Sequence, residues 1–126
     1  MKLFATLAVA TSALDCWTGI GTSVADFDAN KVSVTCQANE ETCQITVRQR
    51  GGVVEQVIGS CKAEDACKNN RAQNFWKGDQ CKPEDTVDAN GAQITSVCRT
   101  CSDTAAEQIA AASYATEAEW KTNLLA

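Results

Sequence analysis

The segment "CQITVRQRGGVVEQVIGSC", residues 43–61, decides the fold because it contains two β-prone runs with a cysteine at each end. Ile45 and Val47 alternate with polar residues in the first run, and the second run is largely apolar. Gly51 and Gly52 separate the runs, and glycine tolerates the positive φ of a tight turn. The pattern predicts a β-hairpin whose flanking cysteines either bond to each other or belong to a larger set of disulfides.

The cysteine count and the first residues together predict an exported protein. The chain begins "MKLFATLAVATSALDC", in which Lys2 precedes an apolar stretch and then small residues. This order is typical of a secretory signal peptide, here residues 1–13, with cleavage after Ala10 or Ala13. An even number of cysteines in a short exported chain predicts a disulfide framework. The eight are Cys16, Cys36, Cys43, Cys61, Cys67, Cys81, Cys98 and Cys101.

Charge and hydropathy limit the partners. The net charge is −5 for the full chain, and loss of Lys2 with the signal makes it −6. An acidic chain does not favour nucleic acid or an anionic membrane surface. No second hydrophobic segment follows the signal, so we expect no membrane span. Charged residues such as Glu117 and Lys121 interrupt the last residues, so we expect no lipid anchor.

The rest of the chain predicts more β-structure and one helix. "KVSVTC" (31–36) and "QITSVC" (93–98) are β-prone, giving four or five antiparallel strands, with loops over 14–30 and 62–90. The alanine- and glutamate-rich tail predicts a helix over about 105–123, with Thr104 and Glu107 as a capping box. Its thin apolar stripe leaves three alternatives, since the helix could pack on the strands, pair with another chain or fray; the stripe comprises Ile109, Thr116, Trp120 and Leu124.

No residue pattern points to catalysis, a metal or a cofactor. The chain has no histidine, which removes Ser–His and Cys–His pairs and most zinc sites. "CRTC" (98–101) is interpreted as two half-cystines with different partners. "DFDAN" (26–30) resembles the start of a calcium loop, but Lys31 and Gln37 stand where that loop needs glycine and glutamate. We therefore expect no enzyme activity, metal or cofactor.

Two groups of residues are candidates for contact with a partner. Arg48 and Arg50 flank the predicted hairpin turn, where they would either meet an acidic patch or serve as solubilising charge. Phe75, Trp76 and Lys77 lie in a long polar loop. An exposed aromatic residue there would be a binding anchor, whereas Trp76 folded back would be loop core.

The order and spacing of five cysteines resemble the three-finger family of lymphocyte-antigen-6, urokinase-receptor and snake-toxin domains. The resemblance covers about residues 14–101 and rests on "LDC" (14–16), "CQANEETC" (36–43) and "GSCKAEDAC" (59–67). Two departures are visible. The extra cysteine pair of the first finger is absent, and Cys101 is followed by Ser102 where the family has a closing Cys-Asn.

The resemblance implies a pairing of the cysteines. It implies Cys16–Cys43, Cys36–Cys61 and Cys67–Cys98, and it leaves Cys81 and Cys101 to bond to each other. Cys67–Cys81 with Cys98–Cys101 is a competing arrangement, although its second bond would close a very short ring. The hairpin would then be the second finger, held at its base, with a tip that projects freely.

We therefore predict a mainly β, small, disulfide-rich three-finger antiparallel domain over 14–102 with a C-terminal α-helical tail over 103–126. The resemblance implies binding to a receptor or another extracellular protein. Two further possibilities are a structural component of an extracellular coat or matrix, assembled through the tail, and a small exported enzyme.

Overall fold

The computed structural model describes residues 14–122, so the predicted signal peptide and residues 123–126 lie outside the described part. One antiparallel sheet has the strand order β2-β1-β4-β3-β5. The elements in chain order are β1 (Asp15–Gly21), α1 (Val24–Asn30), β2 (Val32–Thr35), β3 (Thr42–Arg50), β4 (Val53–Lys62), α2 (Glu64–Ala72), β5 (Thr95–Ser102), α3 (Ala105–Ala111) and α4 (Glu117–Thr122). The predicted fold class, mainly β and disulfide-rich with a helical tail, is confirmed.

Two disulfides hold the central hairpin to the first pair of strands. Cys43 and Cys61 lie directly opposite each other on β3 and β4, yet each bonds to another cysteine. The bonds are Cys16–Cys43 and Cys36–Cys61, as predicted. The Sγ atoms of Cys16 and Cys36 are 3.2 Å apart, so the two bridges pack on each other. The hairpin is therefore fastened at its base to β1 and to the segment after β2.

The other two predicted bonds, Cys67–Cys98 and Cys81–Cys101, are wrong. The structure contains Cys67–Cys101 and Cys81–Cys98. The reason is the alternation of side chains along β5, because residues three apart point to opposite faces of a sheet. Cys101 is paired with Gln44, whose Nε2 lies 3.4 Å from Cys67 Sγ, which places α2 on that face. Cys98 points to the opposite face, where it meets Cys81 in the core.

Helix α1 packs closely on the sheet, in a region where the sequence predicted a loop. Phe27 on α1 is fully buried, and a Cβ at Gly59 would come within 2.7 Å of its ring. A Cβ at Gly21 would clash with the Phe27 backbone. Ser23 caps the helix by accepting from the Asp26 N–H at 3.0 Å. The glycines of this region therefore serve close helix–strand packing and do not form a loop.

Helix α2 lies inside the predicted polar loop over 62–90. Glu64 and Asp65 are in its first turn and Arg71 is in its last, which suits the helix dipole. Cys67 and Arg71 are its buried residues. This helix lacks a wide apolar stripe, which is why periodicity did not reveal it.

The tail is built into the core. Trp120 is 1% exposed and belongs to the cluster of Phe27, Ile45 and Val57. Of the three alternatives for the tail, packing on the strands is the one observed for its described residues. None of the described helices is long and apolar enough to cross a membrane.

The single tail helix predicted over 105–123 is wrong, because two short helices with a break occupy this region. Only half of the predicted capping box at the first helix is present. Thr104 Oγ1 accepts from the Glu107 N–H at 3.1 Å, but the Glu107 carboxylate accepts from the Asp103 N–H at 3.3 Å and not from the Thr104 N–H. A second box starts α4. Thr116 Oγ1 accepts from the Glu119 N–H at 3.2 Å, and Glu119 accepts from the Thr116 N–H at 3.0 Å. Because this second capping box begins a new helix at Glu117, the tail forms two helices instead of one.

Candidate binding surface

Arg48 and Arg50 share one carboxylate near the hairpin turn. Glu55 lies 3.0 Å from Arg48 Nε and 3.5 Å from Arg50 Nε, and all three side chains are partly exposed. The strand register shifts between Arg48 and Gln49, which leaves Glu55 outside one-to-one pairing on β4. Exposed ion pairs contribute about 0–1 kcal/mol each. One positive charge of this trio therefore remains unbalanced and accessible.

The hairpin turn does not project freely, contrary to expectation. The Gly51 N–H donates to the Ile94 carbonyl at 2.9 Å. A Cβ at Gly52 would come within 2.9 Å of Thr86 Cγ2, and both glycines have positive φ. The turn thus rests on the segment 86–94 that leads into β5. A partner that uses the arginines would approach from the strand face near the turn.

Phe75, Trp76 and Lys77 take three different positions in the turn that follows α2. The ring of Phe75 packs against the core cluster, with Lys121 Nζ 5.9 Å from the ring centroid. Trp76 is 61% exposed. Lys77 is exposed and its Nζ donates to Asn69 Oδ1 at 2.9 Å. The structure thus separates the aromatic pair, because Phe75 is partly buried against the core and Trp76 is exposed.

The loop that carries Trp76 is fastened along the outer edge of β5. The side-chain amide of Asn74, fully buried, donates to the Arg99 carbonyl at 2.7 Å and accepts from the Arg99 N–H at 3.0 Å. The Val97 N–H donates to the Gln80 carbonyl at 2.9 Å. The Cys81–Cys98 bond closes this contact. These groups satisfy backbone positions that would otherwise be free at a sheet edge.

A shallow groove of about 490 Å³, here called the β5 groove, lies between the loop 78–82 and the exposed face of β3 and β5. Arg48 and Val97 are directly opposite in the β3–β5 register, and Arg99 follows Val97 on the same face. Arg99 Nη1 donates to Gln80 Oε1 at 2.9 Å. Burial lowers the pKa of Arg99, although arginine stays protonated near neutral pH. The groove therefore joins two guanidinium groups.

Sequence reasoning missed Arg99, Asn74 and Gln80. Arg99 stood between two half-cystines and was not considered as a site residue. Strand alternation was the available signal, because a strand over 95–102 with Cys98 buried turns Arg99 to the other face. Asn74 and Gln80 offered no signal, since their roles depend on where a long loop returns.

A second, smaller pocket of about 90 Å³ lies beside α2. Its walls mix both signs of charge, with Lys68 and Arg71 facing Glu41, Glu64 and Asp103. Burial lowers the pKa of Arg71, and the Lys68 ammonium lowers the pKa of Glu64. The mixed lining favours neither an anion nor a cation.

Among the described residues, one group of potential metal ligands converges, namely Cys16, Cys36 and Cys61. All three are disulfide-bonded and therefore are not thiolate ligands. The acidic residues of "DFDAN" have a helical role instead. Asp26 accepts from the Thr22 N–H at 2.8 Å and from Asn30 Nδ2 at 2.9 Å.

Comparison of the chain with protein-family models, with curated proteins and with solved structures finds no match.

Proposed function

We propose that this chain is a secreted binding module of three-finger type that recognises another extracellular protein. The observation that carries the proposal is Trp76, which is 61% exposed in a loop fastened to the sheet. It is the one aromatic residue among the exposed large hydrophobic side chains of residues 14–122. Tryptophan is enriched among residues that dominate binding energy. A rigidly mounted, exposed tryptophan is therefore a suitable anchor.

The loop that carries Trp76 also forms one wall of the groove that contains cationic residues. Gly78 and Gln80, close to Trp76 in sequence, line the β5 groove together with Arg48. Arg50 shares Glu55 with Arg48, and Lys77 adjoins Trp76. Arginine and tryptophan are both enriched at the centres of protein interfaces.

The three-finger assignment is supported by the sheet and by two bridges. The order β2-β1-β4-β3-β5 gives three successive excursions from the end where Cys16, Cys36, Cys43 and Cys61 meet. The implied family pairing holds for these four cysteines and differs for the other four. The third excursion, with α2 and its long loop, is therefore the part that departs from the family.

Export is supported by the disulfides and the signal-like N-terminus. All eight cysteines are bonded, and four disulfides in a domain of this size are typical of extracellular proteins. The proposal includes no catalytic step and no cofactor.

Assembly of a coat or matrix through the tail is less well supported. Trp120 is the largest apolar residue of the tail helices, and it is buried in the core of its own domain. Gln108, also fully buried, bonds to the backbone of β1 and β3. These residues are not available to a second chain while the domain is folded.

The test is a screen of purified extracellular ectodomains with the oxidised chain, followed by titration of the ectodomain that binds. Trp76→Ala should weaken affinity by about tenfold or more, as for an interface anchor, and Arg48→Glu should weaken it as well. Ile20→Ala is the matched apolar control, since Ile20 is 66% exposed on β1. Lys68→Glu is the matched charge control on α2. Unchanged affinity in the Trp76→Ala, Arg48→Glu double variant would refute the proposed surface.

A further inference from the structure

The β5 groove contains an arginine without an acidic partner. Arg99 donates to the neutral Gln80 side chain, and no carboxylate of the described residues forms an ion pair with it. The chain has 16 acidic residues and 11 basic ones, so a carboxylate partner would be easy to supply. A partly buried guanidinium gains from a carboxylate because it has already lost part of its hydration. The β5 groove therefore presents a guanidinium group, that of Arg99, that a carboxylate from another molecule can pair with.

The geometry puts a second guanidinium beside Arg99. Arg48 is opposite Val97, so Arg48 and Arg99 are diagonal neighbours on one face of adjacent strands. Diagonal neighbours have Cα atoms about 7–8 Å apart, within reach of long side chains. Val97 lies between them and gives the groove an apolar floor. A carboxylate that enters the groove would meet both guanidinium groups, while its methylene groups would contact Val97.

The position of Arg99 is set before any ligand binds. Its backbone N–H and carbonyl both bond to the Asn74 side chain, and Cys98 next to it is held by Cys81. A fixed backbone lowers the entropy that a binding contact costs.

The charge around the groove is positive while the chain as a whole is negative. Four cations face two carboxylates here: Arg48, Arg50, Lys82 and Arg99 against Glu55 and Asp79. The full chain has a net charge of −5. A long polyanion such as a sulfated glycan would be repelled by the rest of the surface. A short acidic segment of a protein would meet mainly the local positive charge.

We propose that the β5 groove binds a glutamate or aspartate side chain of a short acidic segment in the partner protein, with Arg99 as the main contact and Arg48 beside it. This inference rests on the proposed function, and it specifies the chemistry that the same surface recognises. Arg99 takes the carboxylate through its planar fork of N–H donors, which lysine lacks.

The test uses a peptide in which glutamates alternate with glycines, so it needs no native partner. The chain has four arginines, and their side-chain Nε–H resonances can be followed separately by NMR. The Arg99 and Arg48 resonances should shift saturably with this peptide and not with its glutamine counterpart. The resonance of Arg71, which is buried on α2, should not shift. Binding should weaken as salt is raised.

Variants separate charge from geometry. Arg99→Gln should reduce the affinity for the glutamate peptide by about tenfold, which is the scale of a charged hydrogen bond. Arg99→Lys should recover only part of that loss, because it keeps the charge without the fork. Lys68→Gln removes the same charge from α2 and should have no effect. Arg48→Gln provides a second test if the Arg99 variants lose their dispersed spectra.

The outcomes distinguish this inference from the proposed function. Equal responses of Arg71 and Arg99, or unchanged affinity in Arg99→Gln and Arg48→Gln, would overturn the carboxylate site. Stronger competition by a sulfated oligosaccharide than by the glutamate peptide would also overturn it. If an ectodomain still bound through Trp76 after such a result, the proposed function would stand and the groove assignment alone would fail.

Discussion

Gln108 is predicted to be the residue that holds the tail on the sheet. Its side chain is fully buried and lies between α3, β1 and β3. Oε1 accepts from the Trp17 N–H at 2.8 Å, and Nε2 donates to the Trp17 carbonyl at 2.8 Å and to the Gln44 carbonyl at 3.0 Å. Gln108→Leu keeps a similar volume and removes all three bonds.

The expected loss of stability follows from the backbone groups that the leucine leaves unpaired. A buried polar group without a partner costs about 1–3 kcal/mol. Trp17 would lose the partners of both its N–H and its carbonyl, while leucine recovers part of the cost as buried apolar surface. The net decrease in the free energy of unfolding should be about 2–4 kcal/mol, a large part of the ~5–15 kcal/mol of a typical domain.

The assay is denaturant unfolding of the oxidised chain, followed by far-ultraviolet circular dichroism. Gln37→Leu is the matched control, because Gln37 is exposed in the segment between β2 and β3. The control should change the free energy of unfolding by no more than about 0.5 kcal/mol. If Gln108→Leu is no more destabilising than Gln37→Leu, the tail does not depend on this contact and the reasoning is refuted.

Packing at Gly59, the charge of Glu119 and the Cys81–Cys98 bond should each contribute measurably to stability. Gly59→Ala places a Cβ 2.7 Å from Phe27 Cζ, so it should lower the unfolding midpoint clearly; a thermal scan that shows no decrease would contradict this packing. Glu119 has a lowered pKa because the Ala115 and Thr116 N–H groups bond to its carboxylate. Its contribution to the free energy of unfolding is therefore fully present above the ordinary glutamate pKa and is lost as pH falls through the lowered pKa. Glu119→Gln should flatten the acid limb of an unfolding curve recorded against pH, and an identical limb in both proteins would argue against the second capping box. Replacing Cys81 and Cys98 together by serine should cost about 3 kcal/mol by the loop-closure estimate, measured with denaturant, and a variant as stable as the parent would count against the bond.

The parts of the fold that could be predicted were those fixed by local pattern. Alternating apolar residues and two glycines specify the hairpin, and the spacing of Cys16, Cys36, Cys43 and Cys61 matches a known arrangement. In such segments the local structure is determined by residues that are close together in the sequence. The role of Thr104 as the N-cap of α3 was predictable for the same reason.

The parts that could not be predicted depend on contacts between distant segments. The segment that contains Gly21 was predicted as a loop, whereas Gly21 and Gly59 leave room for the backbone and the ring of Phe27. The partners of Cys98 and Cys101 depend on which face each cysteine occupies once α2 has docked. Trp76 could be proposed from sequence, whereas the role of Arg99 depends on the loop 78–82, which packs beside it.

Cys67–Cys101 and Cys81–Cys98 fasten the third excursion to β5. These two bonds form the β5 groove and hold the loop that carries Trp76. Tryptic digestion of the unreduced protein tests this pairing directly. Trypsin cuts after Lys62, Lys68, Lys77, Arg99 and Lys121. It does not cut between Lys82 and Pro83, so Cys81 and Cys98 remain together in peptide 78–99.

Mass spectrometry of that digest should find peptide 78–99 by itself, lighter than its reduced form by two hydrogen atoms. It should also find peptide 63–68 joined only to peptide 100–121, which contains Cys101. Bonds Cys67–Cys98 and Cys81–Cys101 would instead link all three peptides into one species. The two separate products are the predicted result, and the single three-peptide species would contradict the account.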